Sequence, residues 1–157
     1  MTEYTEFFSD FSLGFLDGIT VSASISSGLF ASQTSKELII KTIIIQTIAG
    51  MSSMGLSNYL SVDSSIEIRK DNAVQSGLTT SFGYFIGSMI SFIAFTMSST
   101  VEDGFKNSLI CNFIALCIFG YIRGDSLKHQ NNIDDIIKVL IIGMASIGIT
   151  YYASSHF

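Results

Sequence analysis

The sequence predicts an all-α membrane protein of five transmembrane helices. Three observations carry this. Residues of apolar type make up 48% of the 157 positions, whereas only 13% are charged, about half the charged fraction of an ordinary soluble domain. Mean hydropathy is +0.50. The apolar residues also fall in five long blocks rather than alternating along strands, and each block has roughly the 20 residues that a helix needs to cross a bilayer.

The blocks run over about residues 11–31, 38–62, 77–98, 105–122 and 136–154, so the whole chain, 1–157, reads as one transmembrane domain. Short polar breaks separate them. Thr34 or Ser35 is placed to cap the second helix and Asn132 the fifth, where Asp134 and Asp135 complement the helix dipole. The segment Met1 to Asp10 holds Glu3, Glu6 and Asp10 but no base, so it lacks the positive region of a signal peptide. Cys111 and Cys117 lie six positions apart on roughly opposite helix faces, which disfavours a disulfide between them.

The net charge of −5 gives no electrostatic reason to expect nucleic-acid binding. The basic residues suggest an orientation. With the N-terminus in the cytoplasm, Arg69, Lys70, Arg123, Lys128 and Lys138 share the cytoplasmic side, and Lys36, Lys41 and Lys106 the other. The positive-inside rule then favours a cytoplasmic N-terminus.

Small residues mark the faces that pack, since helices in lipid associate where backbones can approach. The first span carries Gly14, Asp17, Val21, Ser24 and Gly28 on one face. The second carries Gln46, Gly50, Ser53 and Ser57, with Met54 on its shoulder; the third Ser76, Thr80, Gly83, Gly87 and Ser91; the fifth Gly143, Ser146, Thr150 and Ala153. For most of these residues packing is a sufficient explanation.

Asp17 needs another. It is an acid well inside an apolar span, where insertion costs roughly 2.5–3.5 kcal/mol. A protonated carboxyl bonded to neighbouring hydroxyls would satisfy it structurally; an ion-binding role would explain its retention. Met51 and Met54 lie three residues apart in the second span. Soft thioethers beside a hard carboxylate suit a borderline divalent ion such as Fe²⁺ better than Ca²⁺ or Mg²⁺. His129 and His156 have no metal-ligand spacing, and no Ser/His/Asp grouping or phosphate loop is present, so an enzyme is the weakest reading.

Four segments, in order, carry a family resemblance. They are Phe15-Leu16-Asp17-Gly18-Ile19-Thr20-Val21; the run from Ala49 to Val62 with Ser53-Met54-Gly55 and Tyr59-Leu60-Ser61; Gln75 to Leu78 with Phe82 to Gly87; and Phe119-Gly120-Tyr121-Ile122-Arg123-Gly124. Together they resemble the vacuolar iron transporter family over nearly the whole chain. The chain looks like a short member without the glutamate-rich metal-collecting domain between the second and third spans. The resemblance implies a two-fold homodimer in a lipid bilayer, exporting Fe²⁺ or Mn²⁺ from the cytosol in exchange for H⁺, with no permanently bound cofactor. It implies a vacuolar or other endomembrane location in a eukaryote and the plasma membrane in a prokaryote. Asp17 and Met54 map onto pathway ligands; Met51 and Gln46 are further candidates for the path, and Gly14, Gly18, Gly50 and Gly55 candidate packing or pathway glycines. A two-fold axis would double Asp17 and Met54 into four ligands.

The sequence departs from the family pattern in four places. Gln46 stands where the transporters carry glutamate, and Asn58 where many relatives do. Ser22 replaces a first-helix proline. The connection after the second span is about fourteen residues, with Asp63, Glu67 and Asp71 as a possible cytoplasmic metal-recruiting set. The alternative to a transporter is therefore a non-transporting membrane scaffold.

Overall fold

The computed structural model describes residues 3–64, 72–126 and 132–156. They form α1 (Glu3–Ala31), α2 (Lys36–Asp63), α3 (Ala73–Met97), α4 (Val101–Ser126) and α5 (Asn132–His156). All five are long and apolar enough to cross a membrane. Even the shortest, at 25 residues, spans about 37 Å at 1.5 Å per residue, more than a ~30 Å hydrocarbon core.

The helices outrun the apolar blocks at several ends, most of all at the start of α1. Polar residues near the interface stay helical because the backbone must remain hydrogen-bonded until water is available. Ser35 is the N-cap of α2, its Oγ accepting from the Leu38 N–H at 3.4 Å. The expectation for α5 is corrected by one position: Asn132 is the first helical residue rather than the cap. Gln33, at φ 57°, lets the chain reverse between α1 and α2. Across that end, the Lys36 ammonium donates to the Ser98 carbonyl, one of the groups left over where α3 stops.

The frame is the α1–α3 seam. Gly14 and Gly18 lie against the backbone of Thr80 and Tyr84, while Gly83 and Gly87 lie against the backbone of Phe11, Phe15 and Ile19. Each helix gives two glycines to the other, so neither can accept a side chain there without separating. Beyond the glycines the seam becomes hydroxylic. Ser88 donates to the Gly18 carbonyl at 3.3 Å, and Ser22 to Ser91 at 3.4 Å. Asn112 of α4, fully buried, donates to Ser91 Oγ at 2.9 Å and ties in the fourth helix. Ser22 also bonds the Ile19 carbonyl, and α1 runs through it as an unbroken helix.

The other helices close around this frame. Phe15 and Phe119 rings lie 4.7 Å apart between α1 and α4, within a cluster that includes Ile19, Leu116 and Val139. Gly120 and Gly124 let α4 press on the start of α5 at Ile136 and Asn132. Further along, α5 returns to α1, where Ser146 and Ser24 share a 2.9 Å hydrogen bond and Thr150 sits on Gly28. α2 packs on α3 and, less extensively, on α1.

Candidate functional site

Two anchors fix the height of α2 against α1. At one, Asn58 Nδ2 lies 3.1 Å from Asp10 Oδ1 and 2.7 Å from Thr80 Oγ1. At the other, the Tyr84 side chain lies under Gly50 while its backbone meets Gly18. Asp10 and Gly18 are eight residues apart in α1, as are Gly50 and Asn58 in the antiparallel α2. That register sets Gly14 at the height of Met54 and Asp17 at the height of Met51. Gly50, Met54 and Asn58 follow at intervals of four on one face, so Met54 stands between the two anchors.

Tyr84 organises the upper anchor. Its ring is 2% exposed, and its hydroxyl donates to Gln46 Oε1 at 2.8 Å. Gln46 Nε2 in turn donates to Thr47 Oγ1 at 3.2 Å. The Asp17 carboxyl lies within electrostatic reach of Tyr84. Asp17 is half-buried, and among the described residues it accepts no hydrogen bond and makes no ion pair. An intramembrane carboxyl without an internal partner is suited to bind something that arrives from outside the single chain.

Met51 and Met54 are both half-buried. The Met51 carbonyl accepts from Ser81 Oγ at 2.8 Å, which locks this turn of α2 to α3 while leaving the thioether uncommitted. Gly55 is buried against Ser81 and Gly77. The four glycines singled out from sequence thus divide by role. Gly14 and Gly18 hold α1 to α3, Gly55 holds α2 to α3, and Gly50 makes room for the Tyr84 ring. Asp63 is half-buried at the end of α2, whereas Glu67 and Asp71 lie outside the described residues.

Two neighbours of the site escaped the sequence reading. Asp10 falls on the face of Asp17 two turns earlier, 6% exposed; its position seven residues before Asp17 was the available signal. Tyr84 was visible only as part of a Gly-rich motif, since nothing in a sequence says that an aromatic ring reaches across to a glutamine 38 positions away. Among the described residues no three His, Cys, Asp or Glu side chains gather as a metal site.

The outer face of α2 differs from its inner one. Ser52, Ser53, Ser57 and Ser61 are exposed, interleaved with Leu56 and Leu60 at 57% and 53% exposure. The stripe expected to pack within the chain therefore splits: Gln46 and Gly50 face Tyr84, and Ser53 and Ser57 face outward.

The sequence profile of the VIT family matches residues 8–72 and 64–155. A stretch of 74 residues, 47% of the chain, is 28% identical to vacuolar iron transporter 1 of Oryza sativa subsp. japonica, and it spans 29% of that relative's length. With five helices long enough to span a bilayer, the protein is an integral, multi-pass membrane protein. Matched over nearly all of its length, the chain belongs to the VIT family.

Proposed function

We propose that this chain is one half of a homodimeric transporter that moves a divalent transition-metal ion, Fe²⁺ and secondarily Mn²⁺, out of the cytosol in exchange for protons. The observation that carries the reading is Asp17: half-buried, without an internal partner, and level with Met51 on the neighbouring helix. A carboxylate with thioethers offers a borderline ion both a charge and soft ligands. One chain supplies too few ligands, and a second copy across a two-fold axis would double Asp17 and Met54. The exposed serines of α2 support that arrangement, because hydroxyls on a membrane helix are better matched to a partner helix than to lipid tails.

Exchange follows from competition: a proton and Fe²⁺ seek the same carboxylates, so loading one releases the other. Asp63, with Glu67 and Asp71 beyond it, would recruit metal at a cytoplasmic mouth, consistent with a cytoplasmic N-terminus. The named rice relative is an iron transporter, which favours iron as substrate. A scaffold remains the competing reading on one observation: Gln46, where a glutamate would carry a proton, has its amide oxygen occupied by the Tyr84 hydroxyl.

The test is reconstitution in liposomes containing a metal-quenched dye, comparing wild type with Asp17→Ala. Fe²⁺ influx that is lost in Asp17→Ala, with dimer and expression intact, and that grows with a proton gradient, is expected. Unchanged influx in Asp17→Ala removes the pathway assigned here, and no influx through verified wild-type dimers favours the scaffold.

A further inference from the structure

A groove of about 410 Å³ runs between the first half of α1 and the end of α4, lined by Phe8, Ser9, Leu13, Leu16 and Arg123 among others. We propose that it binds an anionic phospholipid, with the phosphodiester on Arg123 and an acyl chain laid along Leu13 and Leu16.

The depth fits one leaflet. The groove follows α1 from Thr5 to Leu16, about 17 Å at 1.5 Å per residue, roughly half of a ~30 Å core. Its chemistry is ordered along that length. Phe119 stacks on Phe8 and meets Phe15 at a tilt, so Arg123, one turn further along the antiparallel α4, lies at the height of the first turns of α1. That is the interfacial end, where the apolar block of α4 stops at Ile122. Ser9 lies beside this end with an exposed side chain, and Leu13, 49% exposed, and Leu16 continue the wall toward the membrane centre.

Charge selects the occupant. Arg123 is half-buried and makes no salt bridge to any described residue. Its planar guanidinium presents a fork suited to phosphate oxygens, and an anionic headgroup would supply a counter-charge at the depth where phosphates lie. Asp134 and Asp135, at the start of α5 where it meets the end of α4, have interactions of their own. Glu6 lines a separate cleft with Asp10 on another side of α1, and Asp125 is exposed beyond the end of the groove. A zwitterionic lipid has the same tails but no net charge for Arg123 to hold. The inner end of the groove, at Leu13 and Leu16, borders Asp17, so a lipid there would lie beside the face assigned above to a second copy; lipid binding itself does not depend on metal transport.

The test is native mass spectrometry of the full chain released from nanodiscs of equal parts phosphatidylcholine and phosphatidylglycerol. Wild type is expected to retain phosphatidylglycerol about fivefold over phosphatidylcholine. Arg123→Ala should erase that preference, and Arg123→Lys, which keeps the charge but not the fork, should keep part of it. Leu13→Trp, filling the apolar half, should reduce retention of either lipid while the helical circular-dichroism signal stays unchanged. Equal preference in wild type and Arg123→Ala overturns the proposal, as does retention indifferent to Leu13→Trp. Efficient disulfide formation between two Leu13→Cys chains would show a second copy covering this face, and would also overturn it.

Discussion

α1 and α2 lie side by side at the candidate site yet are built on opposite plans. α1 is more than half covered by its own chain, whereas α2 is about one-fifth covered. α1 gives Gly14 and Gly18 to backbone contact with α3 and buries Ser22, Ser26 and Ser27. α2 turns one narrow face inward, through Gly50, Gly55 and Asn58, and leaves its serines outside. α5 sharpens the contrast, since its equally bare surface is mostly apolar, with Ile133, Ile141, Ile142 and Ile149 all more than 60% exposed. A bare isoleucine face is finished when lipid covers it. A bare serine face near Asp17, which has no hydrogen-bond or ion-pair partner among the described residues, is less well matched to lipid tails.

The largest expected effect comes from breaking the α1 side. A side chain at position 14 would run into the Thr80 carbonyl and the Tyr84 backbone, neither of which can rotate away. Gly14→Leu should therefore cost more than the 1–3 kcal/mol of ordinary overpacking and leave no monodisperse protein on size-exclusion chromatography. Normal chromatographic behaviour of Gly14→Leu would mean that the seam is looser than described.

A second experiment addresses the outer faces. Ser57→Cys on α2 should cross-link to a second copy in membranes under mild oxidation, while Ile141→Cys on α5 should not. The native Cys111 and Cys117 are to be replaced first, since Cys111 is itself exposed. Cross-linking through Ile141→Cys and not Ser57→Cys would reassign the interface to α5.

The smallest effect is expected at Gln46. In Gln46→Glu the Tyr84 hydroxyl still has an oxygen to donate to, and the bond from Nε2 to Thr47 is lost. The fold should tolerate this, with a change in melting temperature of no more than a few degrees. Metal influx should become steeper in pH, falling as the loading side is acidified, because the new carboxylate takes up protons in competition with metal. A pH profile identical to wild type would make position 46 a packing position.

How much of this was legible in the sequence depended on the kind of information each feature needs. Five spans follow from block hydropathy, a property of composition alone. Their ends did not, because Glu3 and Ser126 are polar yet helical, and hydropathy cannot register a helical turn at the interface. The stripe from Ser76 through Thr80, Gly83 and Gly87 to Ser91 was read as packing and is buried throughout. The same reasoning applied to Ser53 and Ser57 found a real face but could not say what it meets, since periodicity gives direction and not partner. Asp17 stood out through its cost in lipid. Tyr84 did not, because its importance lies in the two glycines and the glutamine that surround it, all on other helices.

The α1–α3 seam also constrains the order of biogenesis. The chain is made from its N-terminus, so α1, with Asp10, Asp17 and its run of serines, exists before the helix that covers it. While α2 is being made, α1 has no Thr80 or Tyr84 backbone to lie against and no Ser88 or Ser91 to bond. Until residues beyond Ser91 have emerged, only α2, through Asn58 on Asp10, can shelter part of that polar face. A chain arrested before that point would hold a first helix ill-suited to lipid, and quality control would have a long interval in which to notice it.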